Sequence, residues 1–432
     1  MSAERWSAMA IDDAHVHKSK VCMVAYCESP TWLPAMVNEG ASLAAAGFEV
    51  EFLCLAFTGA SFVHDARVPG LHTRRFAVHA RRLFHNRFGL TTPGRRLAAV
   101  QRLLSYAEYV AKAFVYALGS RADLYVAHDL PPLLPTVLAA KLRRKPVVYH
   151  AHELWSETHA FVPFARLWRL IDRALVPLCD EVVTPEENRS RIYHEEFGAR
   201  RPPLTVRNCP PYRAPIVSTR LREELERRGI AFSTIVLYQG LIDSMRCIEE
   251  IAEATRYFDE GIVLVIVGGG WGKWAKAPSL LAGYDRIVLL PRVAYEDLPP
   301  YTASADIGIL FYRNDCRNNY YCAPNKLFEY MMMGLPVIAA SYPGMRALVE
   351  AEAVGLCVNP EAPKEIAAAV NRMAADSQAR MTMRANGLRL SMERYNWENE
   401  FNPLVERYRA LLVHTPRRAP PSLVGRSAPG AQ

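Results

Sequence analysis

Short apolar runs alternate with segments of helical period along almost the whole chain, and this alternation constrains the fold more than any other feature. In the first half, Lys20–Tyr26, Glu49–Leu55, Leu124–His128, Val147–His150 and Glu181–Thr184 read as buried strands, too short and too β-branched for helices. Between them Leu33–Ala46, Pro131–Leu142 and Phe164–Leu178 carry a helical period, with Gly47 standing where the first of these would end. The second half repeats the scheme. Strands are expected at Thr234–Gln239, Ile262–Val267, Ile287–Leu289, Asp306–Leu310, Pro336–Ala339 and Gly355–Val358, and helices at Arg246–Tyr257, Leu298–Ala303, Pro324–Met333 and Ala362–Ala374. Apolar strands separated by helices pair in parallel, with helices covering both faces of the sheet. Between the two series, Asn208-Cys209-Pro210-Pro211-Tyr212-Arg213-Ala214-Pro215 can continue neither period. The expectation is an α/β protein of two doubly wound, Rossmann-like domains, 1–207 and 216–394, with a hinge at 208–215. At 432 residues, half of them hydrophobic, the chain is long enough for two cores. Ligands of such sheets sit at the carboxyl ends of the strands, so in a pair those ends should face a shared cleft.

Within the second series, Pro324 to Ala340 reads as a helix that opens with proline, ends at Gly334 and feeds a buried strand. On a helical wheel Leu327, Phe328, Met331 and Met332 share one face, which suits a core, and Lys326, Glu329, Tyr330 and Met333 share the other. A lysine in the first turn stands where backbone N–H groups and the helix dipole already favour an anion. A carboxylate one turn on can accept hydrogen bonds from a diol. The pair is either a solvated surface ion pair or a grip for phosphate and sugar.

Other strand ends bear on that choice. Gly268-Gly269-Gly270-Trp271-Gly272-Lys273 follows the strand Ile262–Val267, but it lacks both P-loop and GxGxxG spacing, and reads as a tight strand-to-helix turn allowing close ligand approach. After another strand comes Gly240-Leu241-Ile242-Asp243-Ser244-Met245-Arg246, and an arginine opening the next helix there can clamp a diphosphate bidentately. In the first half, His128-Asp129 and His150-Ala151-His152-Glu153 close two strands, and polar groups crowded at two strand ends fit a site better than a core. No Asp-x-Asp is present, which disfavours sugar transferases that hold the nucleotide through a divalent metal. The nine cysteines are scattered without metal-ligand spacing, so reduced thiols and no zinc site are expected.

Charge is unevenly spread. The net charge is +8, yet between Ala66 and Arg121 eleven bases face a single acid, Glu108, with Leu83, Phe84, Phe88, Leu90, Leu103, Leu104, Tyr106 and Tyr109 interleaved. This segment, 66–121, fits docking to an anionic membrane surface better than nucleic acid, for which no motif accompanies it; a solvated basic face is the alternative. Met1–Lys20 has no apolar run of the secretory kind, no stretch of about 18 apolar residues occurs, and Thr415–Gln432 has a disordered composition. A cytoplasmic protein, peripheral at the inner face of a membrane, is the resulting expectation.

In order and spacing, several stretches together resemble the retaining glycosyltransferases of the GT-B fold, specifically glycosyltransferase family 4: Ala122–Asp129, Val147–Glu153, Tyr238–Leu241, Val265–Gly270, Pro324–Ile338 and Tyr395–Glu398. The resemblance implies transfer of a sugar from a nucleotide-sugar donor, UDP- or GDP-linked, to a glycan or lipid-linked acceptor, with retention and without metal or other cofactor. It assigns Glu329 to the ribose hydroxyls, Arg246 and Lys326 to the diphosphate and its departure, and His128 to a place beside the donor sugar. Arg292 and Val293 would border the base, with Gly240, Gly268, Gly270 and Asn325 completing the donor site. Asp129, His152 and Glu153 fall on the sugar or acceptor side. A last helix, within 395–414, would cross back to the first domain. Two positions depart from the family pattern. Tyr321 stands eight residues before Glu329, where a sugar-contacting glutamate is usual, leaving Asn318, Asn319 or the backbone near Cys322 to substitute. Leu241 replaces a frequent arginine, leaving Arg246 more of the phosphate work. A nucleotide-sugar epimerase and a non-catalytic subunit on the same scaffold are the alternatives.

Overall fold

The computed structural model describes residues 18–27, 34–56, 70–80, 95–158, 165–270 and 272–413. Its strands form two sheets, parallel throughout. The first contains β1 (Lys20–Ala25), β2 (Glu49–Ala56), β3 (Leu71–Ala77), β4 (Leu124–His128), β5 (Val147–His150), β6 (Glu181–Thr184) and β7 (Leu204–Thr205), in the order β3-β2-β1-β4-β5-β6-β7. The second contains β8 (Thr234–Ile242), β9 (Ile262–Gly270), β10 (Ile287–Leu290), β11 (Ile307–Leu310), β12 (Val337–Ala340) and β13 (Gly355–Val358), in the order β10-β9-β8-β11-β12-β13. In both the order reverses at the middle, so each sheet has a switch point at the carboxyl ends of its central strands.

Alternation along each strand feeds two cores per sheet. On β1, Cys22 and Val24 face the helices Arg95–Ser120 and Leu133–Arg143, while Val21 and Met23 face Pro34–Ala45 and Trp397–Val413. On β8, Ile235 and Leu237 face Asn325–Met332, while Val236 and Tyr238 face Ile248–Ala254 and Pro363–Ala375. The two-sided apolar pattern of the sequence thus has its physical cause in two layers of covering helix.

Three local expectations are corrected. Gly268–Gly270 is not a turn, because β9 runs on through Gly270, paired in register with Gly240–Ile242 of β8. The Asn325–Met332 helix has no broad solvent face: Tyr330 and Met333 are buried, the Tyr330 hydroxyl accepting a hydrogen bond from the Gln239 backbone N–H at 3.2 Å. Only Lys326 and Glu329 of the supposed outer face reach the cleft. Arg246 does not open a helix; it ends a short 3-10 turn, Ser244–Arg246, capped by Asp243.

Trp397–Val413 packs Trp397, Phe401, Leu404 and Tyr408 into the first sheet's core, with the Trp397 indole donating to Ser42 Oγ at 2.8 Å. The chain therefore crosses between the halves twice, and the crossings lie side by side. The Trp397 N–H donates to the Pro210 carbonyl at 3.0 Å, and Arg207 binds the Glu400 carboxylate through its backbone N–H at 2.8 Å and its guanidinium at 3.0 Å. Of the earlier expectations, those on residues 1–17, the tail 415–432 and most bases of the 66–94 stretch lie outside the described residues.

Candidate functional site

The carboxyl ends of the two sheets enclose a cavity of about 930 Å³, lined by residues of both halves. Its floor on the second half is made by two glycines. Gly240 has φ +122°, and a Cβ there would stand 2.5 Å from Nζ of Lys326. A Cβ on Gly268 would stand 1.9 Å from the Gly240 carbonyl oxygen, so only glycine permits this backbone approach.

Lys326 lies over that floor, its Nζ 5.0 Å from the Tyr238 ring centre, while the Arg246 guanidinium stacks 3.9 Å over Tyr312. Desolvation, then the neighbouring Arg246 charge, pushes the Lys326 ammonium down to about 7. The Arg246 Nε is buried and has no hydrogen-bond partner. Buried polar atoms rarely go unpaired, and a cation driven toward neutrality by burial and by a second cation gains from an anion beside it. One turn along the helix, Glu329 accepts from Gln239 Nε2 at 2.8 Å, and the Gln239 orientation is fixed by the Thr302 hydroxyl donating to its Oε1 at 2.7 Å. Burial raises the Glu329 carboxyl above its ordinary value, against the pull of Lys326 and of hydrogen bonds from Gln239 and Tyr295. Arg292, Val293, Gly270 and Asn325 border the same cavity.

On the first half, His128 and His150 end neighbouring strands in register. His128 Nδ1 and His152 Nε2 lie 3.0 Å apart with ring planes only 11° from parallel, an edge-to-edge hydrogen bond, and His150 stacks face to face on His152 at 4.1 Å. Behind them His150 Nδ1 bonds Glu39 at 2.8 Å, and Tyr408 donates to the other Glu39 oxygen at 2.8 Å. Against the burial that opposes ionisation, His150 and His128 hold the Glu39 carboxyl down to about 2. Burial holds His128 down to about 4, and holds His152 well below its ordinary value.

The three imidazoles offer donor atoms within 4.8 Å of one another. A divalent ion at about 2.0–2.1 Å from each nitrogen would sit where three lone pairs converge. Here His128 Nδ1 and His152 Nε2 face one another in a hydrogen bond and His150 stacks on the His152 ring, while Nε2 of His128 and of His150 have no hydrogen-bond partner.

The structure brings together at the cavity Arg246, Lys326, Glu329, Gly240, Gly268, Gly270, Arg292, Val293, Asn325, His152 and Glu153. It places His128 one layer behind His152, only 1% exposed. Asp129 stands beside the cavity at φ +67°, its carboxylate accepting the Glu153 N–H at 3.1 Å; burial and the adjacent Glu153 push it up to about 7.

The halves meet at one edge of the cavity through a residue that carries no signal in the sequence. Arg189 donates to the carbonyls of Tyr321 (2.6 Å), His152 (2.8 Å) and Asn318 (2.8 Å), linking β5 of the first half to the Arg317–Tyr320 turn of the second. Asn318 Oδ1 accepts the Leu154 N–H at 2.7 Å, and Arg317 pairs with Glu196. Tyr321, at the departure from the family pattern, packs on the first half's core. The contacts of Gln239, Tyr312 and Asn208 were likewise hidden, since each is set by a residue distant in sequence.

Comparison with known proteins agrees with this geometry. Residues 35–209 match the "Glycosyl transferase 4-like domain" and residues 233–376 the "Glycosyl transferases group 1" family. The chain is 22% identical over 334 residues to chitobiosyldiphosphodolichol beta-mannosyltransferase of Candida albicans, covering 70% of this chain and 73% of that one. It is 26% identical over 263 residues to alpha-D-kanosaminyltransferase of Streptomyces kanamyceticus, covering 60% and 63%. Among solved structures it superposes on Anabaena HepE in complex with UDP and glucose (TM-score 0.65, 16% identity, 91% of this chain and 100% of that one). Sucrose-phosphate synthase of Thermosynechococcus elongatus gives TM-score 0.69 at 18% identity, covering 92% and 100%. The two-sheet cleft is thus the GT-B fold, and the chain belongs to the family 4-like GT-B glycosyltransferases. It is an enzyme of sugar transfer.

Proposed function

We propose that the protein moves a hexose from a UDP- or GDP-linked donor to a glycan or lipid-linked acceptor, with retention at the anomeric carbon and without a metal. The observation that carries this reading is the convergence of Arg246, with its unpartnered Nε, and Lys326 over the glycine floor at the start of the Asn325–Met332 helix. When the glycosidic bond breaks, negative charge grows on the diphosphate, and two fixed cations in a desolvated site favour that charge more than the ground state. Glu329, held by Gln239, accepts the ribose hydroxyls; Arg292 and Val293 border the base. The sugar then extends toward His152 and Glu153, with His128 supporting His152 from behind. In the retaining route the leaving phosphate takes the acceptor proton, which requires no carboxylate pair of the glycosidase kind.

The test is a binding screen with UDP and GDP followed by transfer assays. Saturable nucleotide binding is expected, with transfer lost in Lys326→Ala and Glu329→Ala at unchanged melting temperature. Unchanged turnover in both variants overturns the reading. Product anomeric configuration by NMR tests retention, and full activity in excess chelator tests metal independence. Epimerised donor without acceptor would favour an epimerase; donor binding without turnover would favour a supporting subunit.

A membrane-facing first half accompanies this proposal. No helix of the described residues is long and apolar enough to cross a membrane. Leu103 and Leu104 on the Arg95–Ser120 helix and Leu167 and Leu170 on the Ala165–Leu175 helix are exposed, with Arg102, Arg166 and Arg173 among them. Exposed leucines among arginines suit an anionic bilayer interface. Flotation on anionic but not neutral vesicles is the expected result, and equal flotation on both counts against it.

A further inference from the structure

Among the described residues, Glu153 and Glu329 are the two carboxylates lining the cavity. Glu329 is engaged by Gln239 and by Tyr295, toward Arg292 and Val293. Glu153 belongs to the other half, next to His152, and Asn318 Nδ2 of the second half donates to its Oε2. Arg189 Nη2 stands 3.6 Å from the same oxygen. The side chain is half exposed, and an ionised carboxylate has about four acceptor sites, so it keeps acceptor capacity facing the cavity. Hydroxyl-rich ligands are read by such carboxylates, each of which can accept from two neighbouring hydroxyls.

We infer that Glu153 is the hydroxyl-binding carboxylate for the transferred sugar, and that Asn318 and Arg189 position it from across the junction of the halves. The inference rests on the nucleotide-sugar reading above and adds to it a source of sugar specificity. Its consequence follows from placement. The nucleotide grip lies within the second half alone, whereas the sugar contact is built only when Asn318 meets Glu153. Nucleotide binding is therefore independent of the junction, and sugar recognition depends on it. Tyr321 strengthens this arrangement: its ring and carbonyl are spent on joining the halves, leaving Glu153 to face the sugar.

The experiment compares wild type, Glu153→Gln and Asn318→Ala for binding of a nucleoside diphosphate and of the matching nucleotide sugar, with melting temperature and donor KM as companion readouts. In Glu153→Gln the diphosphate affinity stays within about twofold, while affinity for the nucleotide sugar falls roughly tenfold or more, as for loss of a charged hydrogen bond. Asn318→Ala moves in the same direction by less, and Glu153→Asp regains part of the discrimination that Gln loses. Equal weakening of both ligands in Glu153→Gln assigns it a merely structural role and overturns the inference, as does unchanged preference for the sugar. Absence of diphosphate binding in wild type would instead overturn the underlying nucleotide-sugar reading.

Discussion

Arg246 with Lys326 beside the second sheet, and Glu39 with three histidines beside the first, are both buried clusters of ionisable groups near the carboxyl ends of the strands. They dispose of their charge in opposite ways. Around Glu39 the carboxylate charge is met internally, Tyr408 and His150 taking its two oxygens, and the ring atoms left without a hydrogen-bond partner, Nε2 of His128 and of His150, belong to side chains only 1% exposed. Around Arg246 the need is left open, with two cations adjacent, one guanidinium nitrogen unpartnered and a lysine brought down to about 7. A buried charge completed by its neighbours serves the fold, and one left incomplete serves a ligand. On the proposed reading the second half supplies the cations that meet the diphosphate, and the Glu39 cluster of the first half a buried carboxylate that Tyr408 and His150 already satisfy.

The contrast is most exposed to failure in the second half. Lys326→Ala is expected to lower kcat/KM by about 10²–10³-fold, the scale of removing one charge-stabilising donor, with little change in melting temperature. A large drop in thermal stability would mean that this cluster too belongs to the fold. Conversely, Glu39→Ala leaves His150 and Tyr408 without their partner and is expected to cost about 3–5 kcal/mol in chemical denaturation, while nucleotide affinity of the folded fraction stays constant. Weakened nucleotide binding at unchanged stability would erase the distinction between the clusters.

pH sharpens it further. With the free-enzyme Lys326 near 7, the charged form that attracts the diphosphate predominates below that pH and is lost above it. Nucleoside diphosphate affinity should therefore be level below about pH 7 and fall as pH rises through it, by up to tenfold per unit, with proton uptake on binding measurable by calorimetry in two buffers. Lys326→Arg should flatten that dependence. The smallest effect is expected at the surface: Leu167→Glu with Leu170→Glu should change stability by about 0.5 kcal/mol or less and yet abolish flotation on anionic vesicles.

Much of the architecture was legible because fully buried parallel strands leave an unmistakable apolar run. β4, β5, β6 and β13 have the ends that the residues suggested. β3 was missed because it is an edge strand whose exposed positions hold His72 and whose half-buried ones hold Arg74 and Arg75, so charge masks the period. The Arg95–Ser120 helix was read only as a basic stretch, although Tyr109, Ala113 and Ala117 form its buried stripe. At the cavity, residue types at strand ends could be read from the chain, but depth could not. Nothing local distinguishes His152, which lines the cavity, from His128 behind it, and wheel geometry put Tyr330 and Met333 on the open side. Arg189 and Tyr321 touch although they stand 132 positions apart in the chain, and no short-range pattern encodes such a contact.

The doubled crossing between the halves, at Arg207–Pro210 and Trp397–Glu400, has a mechanical consequence. A single linker would leave two bodies free to swivel, twist and slide, whereas two linkers bonded to one another act as the two knuckles of one pin. The chain returns to its first half for the last of the described helices, and by doing so ties its two crossings together through Trp397 to Pro210 and Arg207 to Glu400, which restricts how the halves can turn about their junction.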